Sequence, residues 1–219
     1  MDPKLAAASA AVKMVKEGMV VGLGTGSTAS IFIELLAKQG IFVECIPTSF
    51  ASERQAKSLG LKLIGFEQAS KVDLAVDGAD QVDPKGNLIK GLGGALVREK
   101  VVDYRAKKFV VIIGPEKLRK RLSGIVPVEV IPFAQEAVKE DLIRLGAEEV
   151  QVRMDNGKKF VSDNGNFILH AKFGQLRKPQ KLEEEIKLIA GVVDCGIFAK
   201  KRPVVLVGHE NGKCEVIRC

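Results

Sequence analysis

Short apolar runs alternate with segments of helical periodicity along the first half of the chain. The runs are nearly continuous in hydrophobicity, which is typical of parallel strands covered on both faces. The pattern predicts a doubly wound α/β domain with a mostly parallel sheet. The predicted strands are 19–22, 41–46, 62–66, 72–76 and 109–113, and the predicted helices are 29–39, 52–59 and 95–106.

The second half follows a different order. The pattern predicts, in turn, strand 126–131, helix 134–145, strands 149–154 and 167–172, helix 181–190 and strand 192–198. This β-α-β-β-α-β order is that of a ferredoxin-like α+β domain. A final hairpin, 203–207 with 213–218, is expected to return to the first sheet. We therefore predict a Rossmann-like catalytic domain over residues 1–125 and 200–219, and a small ferredoxin-like domain over 126–199.

Composition narrows the possible partners and cofactors. No apolar run is long enough to span a bilayer, and charged residues bracket the alanine-rich segment 5–12, so we expect an amphipathic first helix and a cytoplasmic protein. The net charge is +7, but the chain has no Trp and one Tyr, so a base-stacking surface is poorly supplied. We expect the charge to attract a small phosphorylated substrate and not nucleic acid. Four cysteines without CxxC spacing and two histidines argue against a zinc site, so no metal is expected.

A glycine-rich turn, Gly22–Ala29 (GLGTGSTA), joins the first strand to the first long helix. Glycines allow close backbone approach to an anion, and a helix N-terminus offers N–H groups that favour negative charge. Thr25, Ser27 and Thr28 add hydroxyl groups. The alternative is a tight turn with an N-cap and no ligand. The segment also fits the GxGxxG/A dinucleotide pattern, although Glu44, the acid expected at the strand tip, lies inside its strand.

Two aspartates follow strand 72–76 in the segment Asp77-Gly78-Ala79-Asp80. Ligands of open parallel sheets bind beyond the carboxyl ends of the strands. Carboxylates there could hydrogen-bond sugar hydroxyls and move protons between oxygens. A metal site and a polar turn stabilised by Asx hydrogen bonds are the alternatives.

The segment Lys90–Lys100 (KGLGGALVREK) places a lysine before a second glycine-rich turn that opens a helix. Lys90 and the glycine N–H groups could stabilise an oxyanion such as an enediolate. Glu99 could take a proton from carbon. The alternative is a surface glutamate, four residues before Asp103 and flanked by Arg98 and Lys100, that makes ordinary ion pairs.

These three motifs together resemble ribose-5-phosphate isomerase type A, and the resemblance extends over essentially the whole chain. Further matching segments are VEVIP (128–132), SDNGNF (162–167) and Gly191-Val192-Val193. The resemblance implies interconversion of ribose 5-phosphate and ribulose 5-phosphate through an enediolate, with no metal or cofactor. It implies that Glu99 transfers the proton between C2 and C1. It also implies that Asp77, Asp80 and Lys90 assist ring opening and stabilise the enediolate oxygens.

The same resemblance implies a substrate-binding set and a homodimer or homotetramer. The residues expected to line the substrate are Thr25, Gly26, Ser27, Thr28, Asp77, Gly78, Ala79, Asp80, Lys90, Gly91, Leu92 and Gly93, with Lys117 and Lys4 at the phosphate. The chain departs from the family pattern at Leu92, where a glycine is usual, and at Gly114-Pro115, which precede Glu116-Lys117. Two other functions stay open at this stage, a sugar-phosphate-sensing effector module and a nicotinamide-dependent oxidoreductase.

Overall fold

The computed structural model describes residues 2–69 and 71–219, so Met1 and Ser70, which the sequence assigns to the larger domain, lie outside the described residues. The chain forms two compact units. The larger unit comprises Met1–Ala79, Arg98–Leu118 and Lys201–Cys219, and the smaller unit comprises Asp80–Val97 and Arg119–Lys200. Residues 80–97 thus belong to the smaller unit, whereas the sequence places them in the larger domain. The domain boundaries drawn from the sequence stay a prediction.

The helices and strands follow the predicted order. The helices are α1 (Pro3–Val12), α2 (Ser27–Lys38), α3 (Phe50–Ser58), α4 (Leu96–Arg105), α5 (Gln135–Arg144) and α6 (Pro179–Lys187). The strands are β1 (Val20–Leu23), β2 (Glu44–Pro47), β3 (Lys62–Leu63), β4 (Val72–Asp77), β5 (Gln81–Val82), β6 (Leu88–Ile89), β7 (Ala106–Ile113), β8 (Gly124–Val130), β9 (Glu149–Val152), β10 (Met154–Asp155), β11 (Lys158–Lys159), β12 (Phe167–Phe173), β13 (Val192–Cys195), β14 (Ile197–Phe198), β15 (Val204–Gly208) and β16 (Cys214–Arg218). Within the described ranges, every helix is too short or too polar to cross a membrane.

The sheet of the larger unit has the strand order β16-β15-β7-β4-β1-β2-β3. All neighbouring pairs are parallel except β15 with β16. The mostly parallel sheet is therefore confirmed. The C-terminal hairpin returns to this sheet, as expected, by adding β15 beside β7.

Helices cover both faces of this sheet. Neighbouring residues of β1 point to opposite faces and show which helix packs on each. Val21 and Leu23 pack in one apolar cluster with Phe32 of α2. Gly22 faces the other side, where a Cβ atom would lie 2.5 Å from Val102 of α4. The absence of a side chain at Gly22 lets α4 approach the sheet closely, and the doubly wound arrangement is confirmed.

The smaller unit contains an antiparallel sheet of order β13-β8-β12-β9. The order of these strands along the chain is β8, β9, β12, β13, so the sheet has the ferredoxin-like arrangement that the sequence predicts. Its core includes Val128 and Leu169 of the sheet, Val138 and Leu142 of α5, and Ile186 of α6. A small sheet, β14-β6-β5, and the hairpin β10-β11 were not predicted. Each of these strands has two residues, too few for a period-2 pattern to be recognised.

Asp73 of β4 supports a prediction about stability and pH. Its Oδ1 lies 2.7 Å from Lys107 Nζ, and its Oδ2 accepts a hydrogen bond from the Val20 N–H at 3.0 Å. The bond to Lys107, with that from Val20, lowers the pKa of Asp73. A carboxyl with a lowered folded-state pKa stabilises the protein above its unfolded pKa, and this contribution is lost as the pH falls.

We therefore expect Asp73→Asn to destabilise the protein by about 1 kcal/mol at neutral pH. The difference in the free energy of unfolding between this variant and the wild-type protein should become smaller as the pH falls from about 5 to about 3. Thermal unfolding across this range measures it. A difference that is constant with pH would contradict the expectation.

Candidate active site

The carboxyl ends of β1 and β4 lie side by side, with Leu23 in register with Val76. The chain leaves β1 through the predicted glycine-rich turn and leaves β4 at Asp77. The Gly24 N–H donates to the Val76 carbonyl at 3.0 Å, and the Thr25 N–H donates to Asp77 Oδ1 at 3.0 Å. The structure therefore brings the first glycine motif and the first aspartate together at the sheet edge where α/β proteins bind ligands.

Close backbone approach explains the glycine at position 24. A Cβ atom there would lie 2.3 Å from Asp77 Oδ1 and 2.6 Å from the Asp77 Cα. Asp77 is fully buried, and its Oδ1 also accepts the Gly78 N–H at 2.7 Å. Two backbone amides thus hold this carboxylate in one orientation.

The N-terminus of α2 has the features of an anion site. The N-cap residue is Gly26, which has φ +112°. Because glycine has no side chain, the N-cap residue provides no side-chain acceptor for the first N–H groups of the helix. Lys4 Nζ donates to Ser27 Oγ at 3.0 Å, which places a cation at this helix end. A cavity of about 340 Å³ lies against the turn and the start of α3. Helix N-terminus, lysine and hydroxyl groups suit a phosphate group.

Two hydroxyl residues at this edge were not among the predicted site residues. Thr25 Oγ1 lies 2.8 Å from Thr48 Oγ1 and donates to Ser49 Oγ at 2.8 Å. Thr48 and Ser49 are buried and follow β2, the neighbour of β1. Their position directly after a predicted parallel strand is the signal that could have identified them.

Glu99 lies in the first turn of α4 in the larger unit and is 3% exposed. This burial is incompatible with a surface glutamate, so that alternative reading is wrong. Lys117 lies in the larger unit in a short 3₁₀ helix, Pro115–Lys117, directly after β7. β7 is the parallel neighbour of β4, so the two strands end at the same edge of the sheet. Lys117 therefore comes after the strand end that neighbours Asp77.

The other predicted residues belong to the smaller unit. Lys90 is 2% exposed, its N–H donates to the Gly196 carbonyl at 2.9 Å, and its Nζ lies 5.4 Å from the Phe198 ring centroid. The Leu92 N–H donates to Asp80 Oδ2 at 3.2 Å. The positive φ angles of this turn fall on Gly91 and Gly94, so Leu92 fits without left-handed backbone.

The predicted catalytic quartet is therefore divided between the units, with Asp77 and Glu99 in the larger and Asp80 and Lys90 in the smaller. The predicted substrate-lining residues divide in the same way. The larger unit holds Lys4, Thr25, Gly26, Ser27, Thr28, Asp77, Gly78, Ala79 and Lys117, and the smaller unit holds Asp80, Lys90, Gly91, Leu92 and Gly93.

In the part of the chain that the structure describes, no three His, Cys, Asp or Glu residues are placed to hold a metal ion together. Cys45 and Cys195 are buried, and burial raises the pKa of Cys45 to about 12.

Comparison with known proteins gives consistent results along the chain. Residues 44–212 match the family model of ribose 5-phosphate isomerase A (phosphoriboisomerase A). Ribose-5-phosphate isomerase A of Gluconobacter oxydans is 47% identical over 216 residues, covering 95% of this chain and 94% of that protein. The protein of the same name from Gloeobacter violaceus is 44% identical over 215 residues, covering 95% and 93%.

Solved structures show the same similarity. Ribose 5-phosphate isomerase A of Methanocaldococcus jannaschii superposes with a TM-score of 0.93 at 40% identity, covering 99% of this chain and 98% of that one. A D-ribose-5-phosphate isomerase in complex with phospho-erythronic acid superposes with a TM-score of 0.94 at 39% identity over the full length of both chains. Both units of the fold are thus shared with these proteins.

Proposed function

Since the chain belongs to the ribose 5-phosphate isomerase A family, it is an isomerase that interconverts ribose 5-phosphate and ribulose 5-phosphate in the pentose phosphate pathway, and we propose that Glu99 moves the proton in this reaction. The burial of Glu99 in the first turn of α4 carries the proposal, since it holds a carboxylate away from bulk water in the unit that contains the anion-binding turn. The family assignment does not favour a sugar-phosphate-sensing module or a nicotinamide oxidoreductase.

The proposed chemistry is proton transfer between adjacent carbons. In the open-chain aldose the C1 carbonyl acidifies the C2 hydrogen. Glu99 takes that proton, the C2–H electron pair forms the C1–C2 double bond, and the C1 carbonyl oxygen becomes an enediolate oxygen. Transfer of the C2 hydroxyl proton to the C1 oxygen, formation of the C2 carbonyl, and delivery to C1 of the proton on Glu99, which exchanges in part with solvent, give the ketose. One positioned carboxylate can serve both steps as base and then acid.

Asp77, Asp80 and Lys90 are proposed to support this transfer. A lysine can offset the negative charge of an enediolate oxygen, and carboxylates can relay protons among the sugar oxygens during ring opening. The two amides on Asp77 Oδ1 support its role because they fix the carboxylate before substrate binds. For Asp80, the hydrogen bond from Leu92 does the same in the smaller unit.

The phosphate is proposed to bind at the α2 N-terminus with Lys4 and Lys117. A phosphorylated ligand is supported by the relative in complex with phospho-erythronic acid. The Lys4–Ser27 contact and the uncapped amides of α2 support this position. A cytoplasmic homodimer or homotetramer is also proposed, on the family resemblance alone.

We expect Lys117→Ala to raise KM for ribose 5-phosphate about tenfold, since a hydrogen bond to a charged group contributes roughly 1.5 kcal/mol or more. The value of kcat should change little. Steady-state kinetics test this, with Lys120→Ala, an exposed cation of the same segment, as the matched control. An unchanged KM would remove Lys117 from the phosphate site.

The activity is tested by an isomerase assay of the wild-type protein on ribose 5-phosphate with and without excess chelator. We expect ketose formation at the same rate in both, because the proposed proton transfer needs no metal. No turnover in either condition would contradict the function, and loss of activity with chelator alone would contradict the metal-free mechanism.

A further inference from the structure

The hairpin β10-β11 of the smaller unit contains none of the proposed catalytic or binding residues. Its turn, Asn156-Gly157, has positive φ angles of 47° and 77°, as a tight hairpin turn requires. Arg153 and Phe160 flank the hairpin, and the Phe160 N–H donates to the Arg153 carbonyl at 2.9 Å. The two residues therefore stand together at its base.

The Arg153 and Phe160 side chains form a stacked pair. The guanidinium carbon lies 3.7 Å from the Phe160 ring centroid, within the range of a cation–π contact. Arg153 Nη1 is buried and makes no hydrogen bond to any described residue. Burial lowers the pKa of Arg153, with Asp155 opposing the effect. Arg153 therefore acts here through packing and not through a direct ion pair at Nη1.

This stacked pair packs against the backbone of Gly94. A Cβ atom at Gly94 would lie 2.5 Å from Phe160 Cε1 and 2.7 Å from Arg153 Nη1, so the pair fills the space that a side chain would need. Gly94 closes the turn that follows Lys90, since its N–H donates to the Gly91 carbonyl at 2.9 Å. The pair thus contacts the glycine turn at Gly94, two residues after Leu92, whose N–H donates to Asp80 Oδ2.

The chain beyond the hairpin is firmly anchored. Glu129 of β8 is fully buried, and its Oε1 accepts hydrogen bonds from Ser162 Oγ at 2.9 Å, Asn164 Nδ2 at 3.0 Å and Asn166 Nδ2 at 2.8 Å. A carboxylate with several donors fixes the turn that begins at Ser162, two residues after Phe160, and leads into β12. The segment that follows the stacked pair is therefore held in place by hydrogen bonds to a buried carboxylate.

The start of the turn is held from another direction. The Lys90 N–H donates to the Gly196 carbonyl, and a Cβ atom at Gly196 would lie 2.2 Å from the Lys90 carbonyl oxygen. Contacts with Gly196 thus fix the Lys90 backbone, whereas contacts with Phe160 and Arg153 fix the far end of the turn at Gly94. Removal of the stacked pair would free one end only.

We propose that Phe160 and Arg153 are positioning residues for the Lys90–Gly94 turn, and hence for the lysine and the N–H groups that it presents to the sugar. The inference rests on the proposed role of Lys90. A displacement of about 1 Å in a catalytic group can cost roughly 100-fold in rate. The effect of removing the ring should therefore appear in kcat.

The test compares Phe160→Ala with Phe160→Tyr, which keeps the ring. We expect Phe160→Ala to lower kcat on ribose 5-phosphate about 10- to 100-fold with a smaller change in KM, and Phe160→Tyr to stay within about threefold of wild type. Phe133→Ala, which removes a 98% exposed ring from the same unit, is the matched control and should leave kcat unchanged. Hydrogen exchange of the Gly91–Gly94 amides should accelerate in Phe160→Ala alone.

Two results would overturn the inference: a folded Phe160→Ala variant with wild-type kcat and amide exchange, or equal loss of kcat in Phe160→Tyr and Phe160→Ala. If circular dichroism shows that Phe160→Ala is unfolded, Phe160→Leu carries the same expectations. Lys90→Met separates this inference from the proposed function. Wild-type activity in Lys90→Met would refute the role of Lys90, whereas amide exchange in Phe160→Ala still reports whether the ring holds the turn.

Discussion

Glu99→Gln is expected to lower kcat by about 10²- to 10⁴-fold, the usual contribution of a positioned general base. The amide has nearly the shape of the carboxylate but cannot accept a proton from carbon. KM should change little, because the proposed phosphate contacts lie elsewhere in the larger unit. Steady-state kinetics on ribose 5-phosphate measure both constants.

Glu17→Gln is the control for this substitution, since it makes the same chemical change at an exposed position of the same unit. It should retain wild-type kinetics. If Glu99→Gln keeps full activity, Glu99 is not the base. If Glu99→Gln loses activity only because it unfolds at the assay temperature, its thermal midpoint will show this. Kinetics measured below that midpoint then still compare kcat of the variant with that of the wild-type protein.

Gly24→Ala is expected to damage both stability and catalysis. The added methyl group would lie 2.3 Å from Asp77 Oδ1 and 2.6 Å from the Asp77 Cα, so the ends of β1 and β4 must shift. Overpacking of this kind costs about 1–3 kcal/mol, and each 1 kcal/mol lowers Tm by roughly 2–4 °C in a chain of this size. Displacement of the Asp77 carboxylate and the phosphate turn should lower kcat/KM by about 100-fold.

Gly174→Ala is the matched control for Gly24→Ala. A Cβ atom at Gly174 would meet only the end of the Glu148 side chain, at 3.3 Å, and that side chain can move. Its Tm and kcat/KM should stay near wild type. Wild-type values in Gly24→Ala would show that Asp77 does not need its observed position.

The regular part of the fold was predictable because its signals are local. Buried parallel strands such as β1 and β4 leave continuous apolar runs, and Gly24–Gly26 marks the turn to α2. The convergence of that turn with Asp77 also follows from the sequence, because the carboxyl ends of parallel strands share one edge. The small strands β5 and β6 were missed because two residues are too few to show the period-2 alternation of a strand. Thr48 and Ser49 were missed because hydroxyl residues after a strand are common.

The roles of the site residues depend on burial and packing, which the spacing of residues along the sequence does not show. Nothing in the pattern around Glu99 distinguishes a buried base from a surface ion pair, since burial is set by packing of α4 against the sheet. The family resemblance made that distinction, and the 3% exposure of Glu99 excludes the surface alternative. The placement of Asp80 and Lys90 in the smaller unit was equally invisible, because the strands of this segment, β5 and β6, have only two residues each and leave no recognisable pattern.

Reaction in D₂O follows the proposed proton directly. With ribose 5-phosphate as substrate, the wild-type protein should place solvent deuterium at C1 of ribulose 5-phosphate, and Glu99→Gln should do so at least about 100-fold more slowly. Incorporation of deuterium by Glu99→Gln at the wild-type rate would contradict proton transfer by Glu99 through an enediolate.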